Sequence, residues 1–445
     1  MKKKFDSWLF LPACFLMGYG IIMIFSASAP TAALEEACNY DSLFFLKRHL
    51  IWLTIGLAAM ILAYKADLNK LRKFAIPILF VAAALLVIVL FPAFSVEILG
   101  ARRSIALGPF TFQPSEFAKI ALIFYLADAL ARRKDKIDRF TTILSPIAVL
   151  GLIVLLIEKQ PDLGSTVVIG GSFLGMLFIS GANVWHLACL TVVGFGVAAF
   201  RIMNEAYRVK RILAFLDPWK DAQETGYQII QSFIALGSGG LFGLGLGESR
   251  QKYFYLPEKF TDFIFAITGE ELGLLFGTLP IIILFLFLMY RGLRVAANTR
   301  DSFMSLLAGG LTFQIVLQAF INMGVVSGIL PCTGIPLPFV SFGGSSLVFT
   351  LTAMGLILNV AGQTERKGSM RTSAETSSRP RFSDSVASTS SESINIKDAE
   401  NFNRILKPKR NPRPVKNKLP KKNDGEKNCE LSSREAEPEA IFTLR

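Results

Sequence analysis

Charged side chains at the edges of long apolar runs are what this sequence offers for chemistry. The richest stretch is YFYLPEKFTDFIFAITGEELG, residues 253 to 273, where aromatic residues lead to Asp262 and then into an apolar run. Asp262 suits two roles, capping a helix that begins at Phe263 or serving a polar cavity at the mouth of that run. Glu270 lies about 12 Å further along such a helix and less than a quarter turn around it, which points the two carboxylates roughly toward one side. In QPSEFAK, 113 to 119, Pro114 opens a helix, Glu116 sits in its first turn and Lys119 follows on the same face. That spacing serves a structural ion pair and a working pair equally well. Asp162 stands in the Pro–Gly turn KQPDLG, 159 to 164, which reads first as a turn. Arg48, Arg102, Arg103, Lys119, Arg208, Lys210, Arg211, Lys252 and Lys259 are cations of the kind that grip a diphosphate, and some of them suit lipid headgroups instead. Gln314, Gln318 and Asn322 recur every four residues as a polar stripe, the pattern that bonds neighbouring membrane helices.

The inventory also excludes chemistry. His49 and His186 are the only histidines, too few for a His-based metal centre or a Ser/His/Asp triad. The cysteines Cys14, Cys38, Cys189, Cys332 and Cys429 follow no metal or redox spacing, and a Cys38–Cys332 disulfide on the outer side stays open without support from spacing. No GxxxxGK[ST] loop exists, so a synthetic reaction must draw on a pre-activated substrate such as a lipid-linked, phosphate-activated sugar. The glycines of GSGGLFGLGLG, 237 to 247, follow no strand and read as a flexible outer segment. LPFVSFGGSS, 337 to 346, reads as irregular backbone lining a cavity.

The elements that must position these residues are set by lipid. At 52% hydrophobic residues the chain is too apolar to be solvated by water alone. Apolar runs near 8–28, 50–64, 74–92, 116–131, 142–157, 164–180, 184–200, 263–290, 304–322 and 342–362 are long enough to cross a bilayer as helices. The predicted fold is an all-α polytopic membrane protein of about ten transmembrane helices over residues 1–362, with a long outer loop of about 201–262 between spans seven and eight. The first run, preceded by Lys2, Lys3 and Lys4, is too long for a signal-peptide core and reads as a span. With the amino terminus inside, Lys65, Lys70, Arg72 and Lys73, then Arg132, Arg133, Lys134, Lys136 and Arg139, then Arg291, Arg294 and Arg300 fall in inner loops, and the polar clusters fall outside. The same rule accounts for the net charge of +13 without nucleic acid. Residues 363–445 turn to Ser, Thr, Lys, Arg and Pro and read as a disordered, basic cytoplasmic tail, in which the run from Arg404 to Lys422 suits anionic lipid or simple solvation.

GARRSIALGPFTFQPSEFAK, QPDLG, YRVKRILAFLDPW, GYQIIQS, YFYLPEKFTDFIFAITGEELG and GILPCTGIPLPFVSFGGSS resemble, in order and spacing, the signatures of the SEDS family of shape, elongation, division and sporulation proteins. AFLDPW, the QKYFYLPE run and the long tail look most like its cell-division branch. The resemblance implies ten helices in the cytoplasmic (inner) membrane at the division septum. It also implies a peptidoglycan glycosyltransferase that polymerises lipid II on the outer face during septal wall synthesis. Asp262 matches the family's essential acidic position and is implied as general base for an inverting transfer that expels undecaprenyl diphosphate. Glu116 and Lys119 resemble the family's paired cavity residues. Lys119, Arg48, Arg102 and Arg211 are implied as diphosphate ligands, with Lys252 and Asp162 as further substrate contacts. No cofactor is implied with certainty; a divalent cation, Mg or Mn, would help neutralise the diphosphate, but no ligand set can be read for it. Implied partners are lipid II, a class B penicillin-binding transpeptidase, other divisome proteins and membrane lipid, with no nucleic acid. A lipid II flippase and a non-catalytic divisome scaffold remain open as alternatives. One departure stands out: where many relatives carry a basic or imidazole residue before the Thr–Asp pair, this chain has Phe260, so cations should depress the Asp262 pKa less here.

Overall fold

Backbone polar groups in lipid must be satisfied within the segment, so each apolar run winds into a helix. The computed structural model describes residues 5–98, 101–108 and 110–377. Its bundle is built from α1 (Ser7–Leu34), α2 (Phe44–Lys65), the short α3 (Leu68–Arg72), α4 (Ala75–Ile88), α5 (Pro114–Ala131), α6 (Phe140–Glu158), α7 (Leu163–Ile179) and α8 (Val184–Met203). After α9 (Ala206–Leu216) and α10 (Tyr227–Gly239) come α11 (Ile264–Gly273), α12 (Leu279–Asn298), α13 (Ser302–Val326) and α14 (Gly344–Ser377). With α11 and α12 taken as one broken span, the ten expected crossings are all helical. Seven are long and apolar enough by themselves; α4 and α7 are shorter apolar helices. α5 carries Glu116, Lys119 and Asp128 within its length.

Short polar side chains start these helices where the sequence supplies them. Asp6 accepts from the Leu9 amide at 3.1 Å, Asp162 from Ser165 at 3.0 Å and Asp301 from Met304 at 2.9 Å. α13 is buried along most of its length and is the axis of the bundle, whereas α8 buries no residue at all. Contacts sort the helix ends into two groups. At one end Arg291 pairs with Asp6, Arg72 and Arg132 share Asp128, and Asn359 donates to the carbonyls of Ala63 and Ala66. This basic end carries the clusters expected in inner loops, and the functional candidates gather at the other end.

Two features were not foreseen. Between α4 and α5 the chain forms a three-stranded antiparallel sheet, β1 (Ser95–Ile98), β2 (Ala101–Leu107) and β3 (Phe110–Phe112), in that order. Val96 pairs with Ser104 and Glu97 with Arg102, so Arg103 is the extra residue of a bulge in β2, where the regular strand alternation is interrupted. The second is the glycine-rich segment, which does not act as a flexible outer loop. It returns from α10 alongside α11: Leu244 and Gly245 donate to the carbonyls of Glu270 and Glu271 at 2.9 and 3.0 Å, and Leu274 and Leu275 donate to Gly240 and Leu241, both at 3.0 Å. Gly273, at φ +71°, breaks the helix there and a π-turn over Leu274–Thr278 restarts it. Exposed Leu241, Phe242, Leu244 and Leu246 around the break mark a lipid-facing depth. The returning loop satisfies backbone groups that the broken helix would otherwise expose to hydrocarbon. A Cβ on Gly239 would lie 1.9 Å from the Gly269 carbonyl oxygen, so only glycine permits this approach.

α14 stays helical to Ser377, past the boundary expected at 362. The tail from 378 onward, with Cys429 and the run from Arg404 to Lys422, lies outside the described residues.

Candidate active site

Two irregular segments meet at the mouth of α11. Residues 251–263 fold as successive turns, with Thr261 and Phe263 both donating to the Glu258 carbonyl at 3.2 and 3.1 Å. Residues 331–343 approach from the end of α13. Ser341 Oγ donates to the Thr261 carbonyl at 2.5 Å and the Phe342 amide to the Phe260 carbonyl at 2.9 Å. The polar stripe of α13 ties both segments down. Asn322 Nδ2 donates to the carbonyls of Asp262 and Ile335, each at 2.7 Å, and Gln318 Nε2 to that of Pro336 at 3.1 Å. Phe260 packs with Phe45 and Phe342, ring centroids 4.7 and 5.8 Å away. The residue that departs from the family pattern is thus part of an aromatic plug holding the two segments together.

Asp262 does not cap α11. The helix begins at Ile264 behind Phe263, and no side chain caps it. The capping role thereby falls away, and the carboxylate is left partly accessible between the segments. Burial pushes its pKa up to about 7, and the carboxylates of Glu258 and Asp162 push the same way; Arg103 and Arg211 oppose them. The expected weaker depression by cations goes further here to a net rise, because two guanidiniums do not offset desolvation and two like charges. A base that titrates near neutrality suits proton abstraction from a hydroxyl.

The two cations that act on Asp262 are positioned by backbone. Arg103 reaches from β2 to the carbonyls of Gln160 and Pro161 at 3.3 and 2.6 Å, and Arg211 reaches from α9 to that of Cys332 at 3.3 Å. Sequence reading named Arg103 only as one cation among many. No signal in the sequence separates it from Arg102, because the bulge that sets Arg103 apart arises from the register of β2 against β1. Arg102 is exposed on β2. Arg48 lies over the Phe44 ring at 5.5 Å, close enough to Cys38 to favour its thiolate, although burial dominates and raises that thiol's pKa. Cys38 and Cys332 are both free thiols with different neighbours.

Other expected site residues are enclosed. Glu116 and Lys119 form an ion pair of 2.8 Å, and the ammonium also donates to Gln318 at 2.7 Å. Both are buried, and the cavity beside Glu116 has about 10 Å³ of room, enough for one water and not for a diphosphate. Asp162 is buried as the cap of α7 and accepts from both the amide and hydroxyl of Ser165, from Ser115 and from Gln113. Lys252 is a correction to the expected diphosphate ligands. Its ammonium pairs with Glu271 at 3.0 Å at the far end of α11, where Ser26 donates to the same carboxylate at 2.7 Å. Glu270, expected to point toward the same side as Asp262, is engaged by the glycine-rich return instead. It accepts from Ser249 Oγ at 2.5 Å and the Arg250 amide at 2.9 Å and anchors the glycine-rich return. Among the described residues no three His, Cys, Asp or Glu side chains converge as metal ligands.

A family model described as "Cell cycle protein", covering the FtsW, RodA and SpoVE proteins, matches residues 7–366. The chain belongs to the FtsW–RodA–SpoVE family. Within it, the chain is 44% identical over 367 residues to the probable peptidoglycan glycosyltransferase FtsW of Geobacter metallireducens, covering 82% of this chain and 96% of that one. It is 43% identical over 363 residues to stage V sporulation protein E of Bacillus subtilis, with 81% and 98% covered. Among solved structures it is similar to a chain of a peptidoglycan synthase complex that coordinates polymerisation and crosslinking, at TM-score 0.66 and 27% identity, covering 81% of this chain and 98% of that one. The rod shape determining protein RodA of Thermus thermophilus is similar at TM-score 0.60 and 28% identity, with 80% and 96% covered. Membership of the FtsW–RodA–SpoVE family agrees with a helical, multi-pass membrane protein.

Proposed function

We propose that this protein is a peptidoglycan glycosyltransferase that polymerises lipid II for septal wall synthesis, with Asp262 as its general base. The observation that carries the reading is Asp262 itself, a carboxylate with no capping duty, titrating near neutrality and flanked by Arg103 and Arg211. In its ionised form Asp262 accepts the proton of the acceptor GlcNAc 4-hydroxyl as that oxygen bonds to the anomeric carbon of the donor MurNAc. The anomeric carbon–oxygen bond to the diphosphate breaks, its electron pair leaves with undecaprenyl diphosphate, and the single displacement inverts the centre. Arg211 and Arg103 meet the charge that builds on the leaving group, with Arg48 and Arg102 toward the rim. The buried Glu116–Lys119 pair contributes through Gln318, which it shares with the Pro336 segment. Asp162 contributes by fixing the turn whose carbonyls hold Arg103.

The basic end supports an orientation with both termini in the cytoplasm and the Asp262 end outside. There the substrate arrives already activated by its lipid diphosphate. Similarity to a peptidoglycan synthase complex supports a class B penicillin-binding transpeptidase as partner.

The test uses the purified full chain with its transpeptidase and lipid II, scoring long glycan strands. Wild type should polymerise and Asp262→Ala should not, with complex formation intact in both. Equal polymerisation by the two proteins would overturn the assignment.

A further inference from the structure

A cavity of about 230 Å³ lies at the basic end, where α1 begins and α12 and α14 leave the bundle, and the proposed reaction makes no use of it. Arg291, Arg294, Asn298 and Thr364 line it together with Asp6. Arg291 Nη2 lies 2.8 Å from both oxygens of Asp6, yet its Nε is buried with no hydrogen-bond partner among the described residues. Arg294 donates to the Tyr290 hydroxyl at 3.1 Å and lies over that ring. Two guanidiniums against one carboxylate leave an excess of positive charge, and a buried donor without an acceptor is a site that a ligand oxygen would satisfy.

We infer that this cavity is a binding site for a phosphate group, carried either by an anionic phospholipid headgroup or by a soluble phosphate ester. Guanidinium Nε and Nη donors match the oxygens of a tetrahedral phosphate in number and spacing, and the Asn298 amide adds a neutral donor. The volume falls below the roughly 300–1,000 Å³ of pockets that enclose drug-sized ligands, which selects a headgroup over a whole nucleotide. Val295 and Ala361 give the cavity an apolar floor at the level where helices emerge from lipid, and basic pockets between helices at a cytoplasmic surface favour lipid phosphates. The carboxyl end of α12 opposes an anion with roughly half an elementary charge, which the two arginines exceed. Binding itself does not depend on which reaction the other end performs.

The experiment uses the full chain in neutral detergent, titrated with phosphatidylglycerol, with a phosphate-free galactosyl diacylglycerol and with inorganic phosphate, and bound ligand is counted by native mass spectrometry. The comparison protein is Arg294→Gln/Asn298→Ala, which leaves the Asp6–Arg291 pair in place. Wild type should retain phosphatidylglycerol about tenfold better than the variant, the loss expected on removing a charge-assisted hydrogen bond. Saturation by inorganic phosphate with the same variant sensitivity would assign a soluble ester as the source, and its absence would assign the lipid. Equal retention of phosphatidylglycerol by both proteins, or equal retention of the galactolipid by wild type, would overturn the site. A variant that stays monodisperse and unfolds thermally at the wild-type midpoint establishes that its fold is intact.

Discussion

Asp262→Asn separates the cost of the candidate base from its use. In the folded protein Asp262 holds its proton up to a pKa of about 7, against 3.8 for an unperturbed carboxyl. Between those values the folded state binds more protons than the unfolded state, so stability falls as pH rises through the window and levels off above it. Three units at about 1.36 kcal/mol each put the full loss on the order of 4 kcal/mol, an upper figure because the side chain keeps some contact with solvent. Asparagine is nearly isosteric and does not titrate. The variant should therefore match wild type near pH 4.5 and become progressively more stable than it up to pH 8, while losing polymerisation at every pH. Apparent unfolding midpoints of the two proteins in one detergent, measured from pH 4.5 to 8, read the difference directly. A stability gap that does not change with pH would show that Asp262 is ordinarily solvated, and the electrostatic case for a neutral-range base would fail.

Three further outcomes follow from the same contacts. Wild-type turnover should fall about tenfold per unit below pH 7 as Asp262 protonates, and Glu258→Gln should move that acidic limb to lower pH by removing a carboxylate that raises the pKa; a limb that stays in place would mean another group titrates. Asn322→Ala leaves the Ile335 and Asp262 carbonyls without their 2.7 Å donor, and a 1 Å misplacement of the base costs about 10²-fold, so kcat should drop with KM little changed; unaltered kcat would count against a positioning role. Lys252→Met should destabilise the protein by about 3–5 kcal/mol because Glu271 is left charged and buried, and adding Glu271→Gln should recover most of the loss in thermal unfolding.

Much of the architecture was legible in the chain because lipid leaves so few solutions. Ten apolar runs had to be helices, and inner-loop arginines and lysines sorted their ends. Asp262 was legible as a candidate, but its capping and catalytic roles could not be separated from sequence, since both place an acid just before a helix. Whether Phe263 or Asp262 precedes the first turn depends on how Ser341 and Asn322 hold the backbone at Thr261 and Asp262.

Composition and apolar periodicity determined the number of crossings, the basic end and the concentration of acids and cations at the opposite end. Tertiary structure alone decided which charges are available. Lys252, Lys119, Arg103 and Arg211 look alike as cations near apolar runs, yet Lys252 and Lys119 are consumed by buried carboxylates while Arg103 and Arg211 are held beside Asp262 by backbone carbonyls. Sequence spacing fixes the face of a helix on which a charge stands. Burial and pairing depend on which segments fold back against that face, and those contacts join residues far apart along the chain.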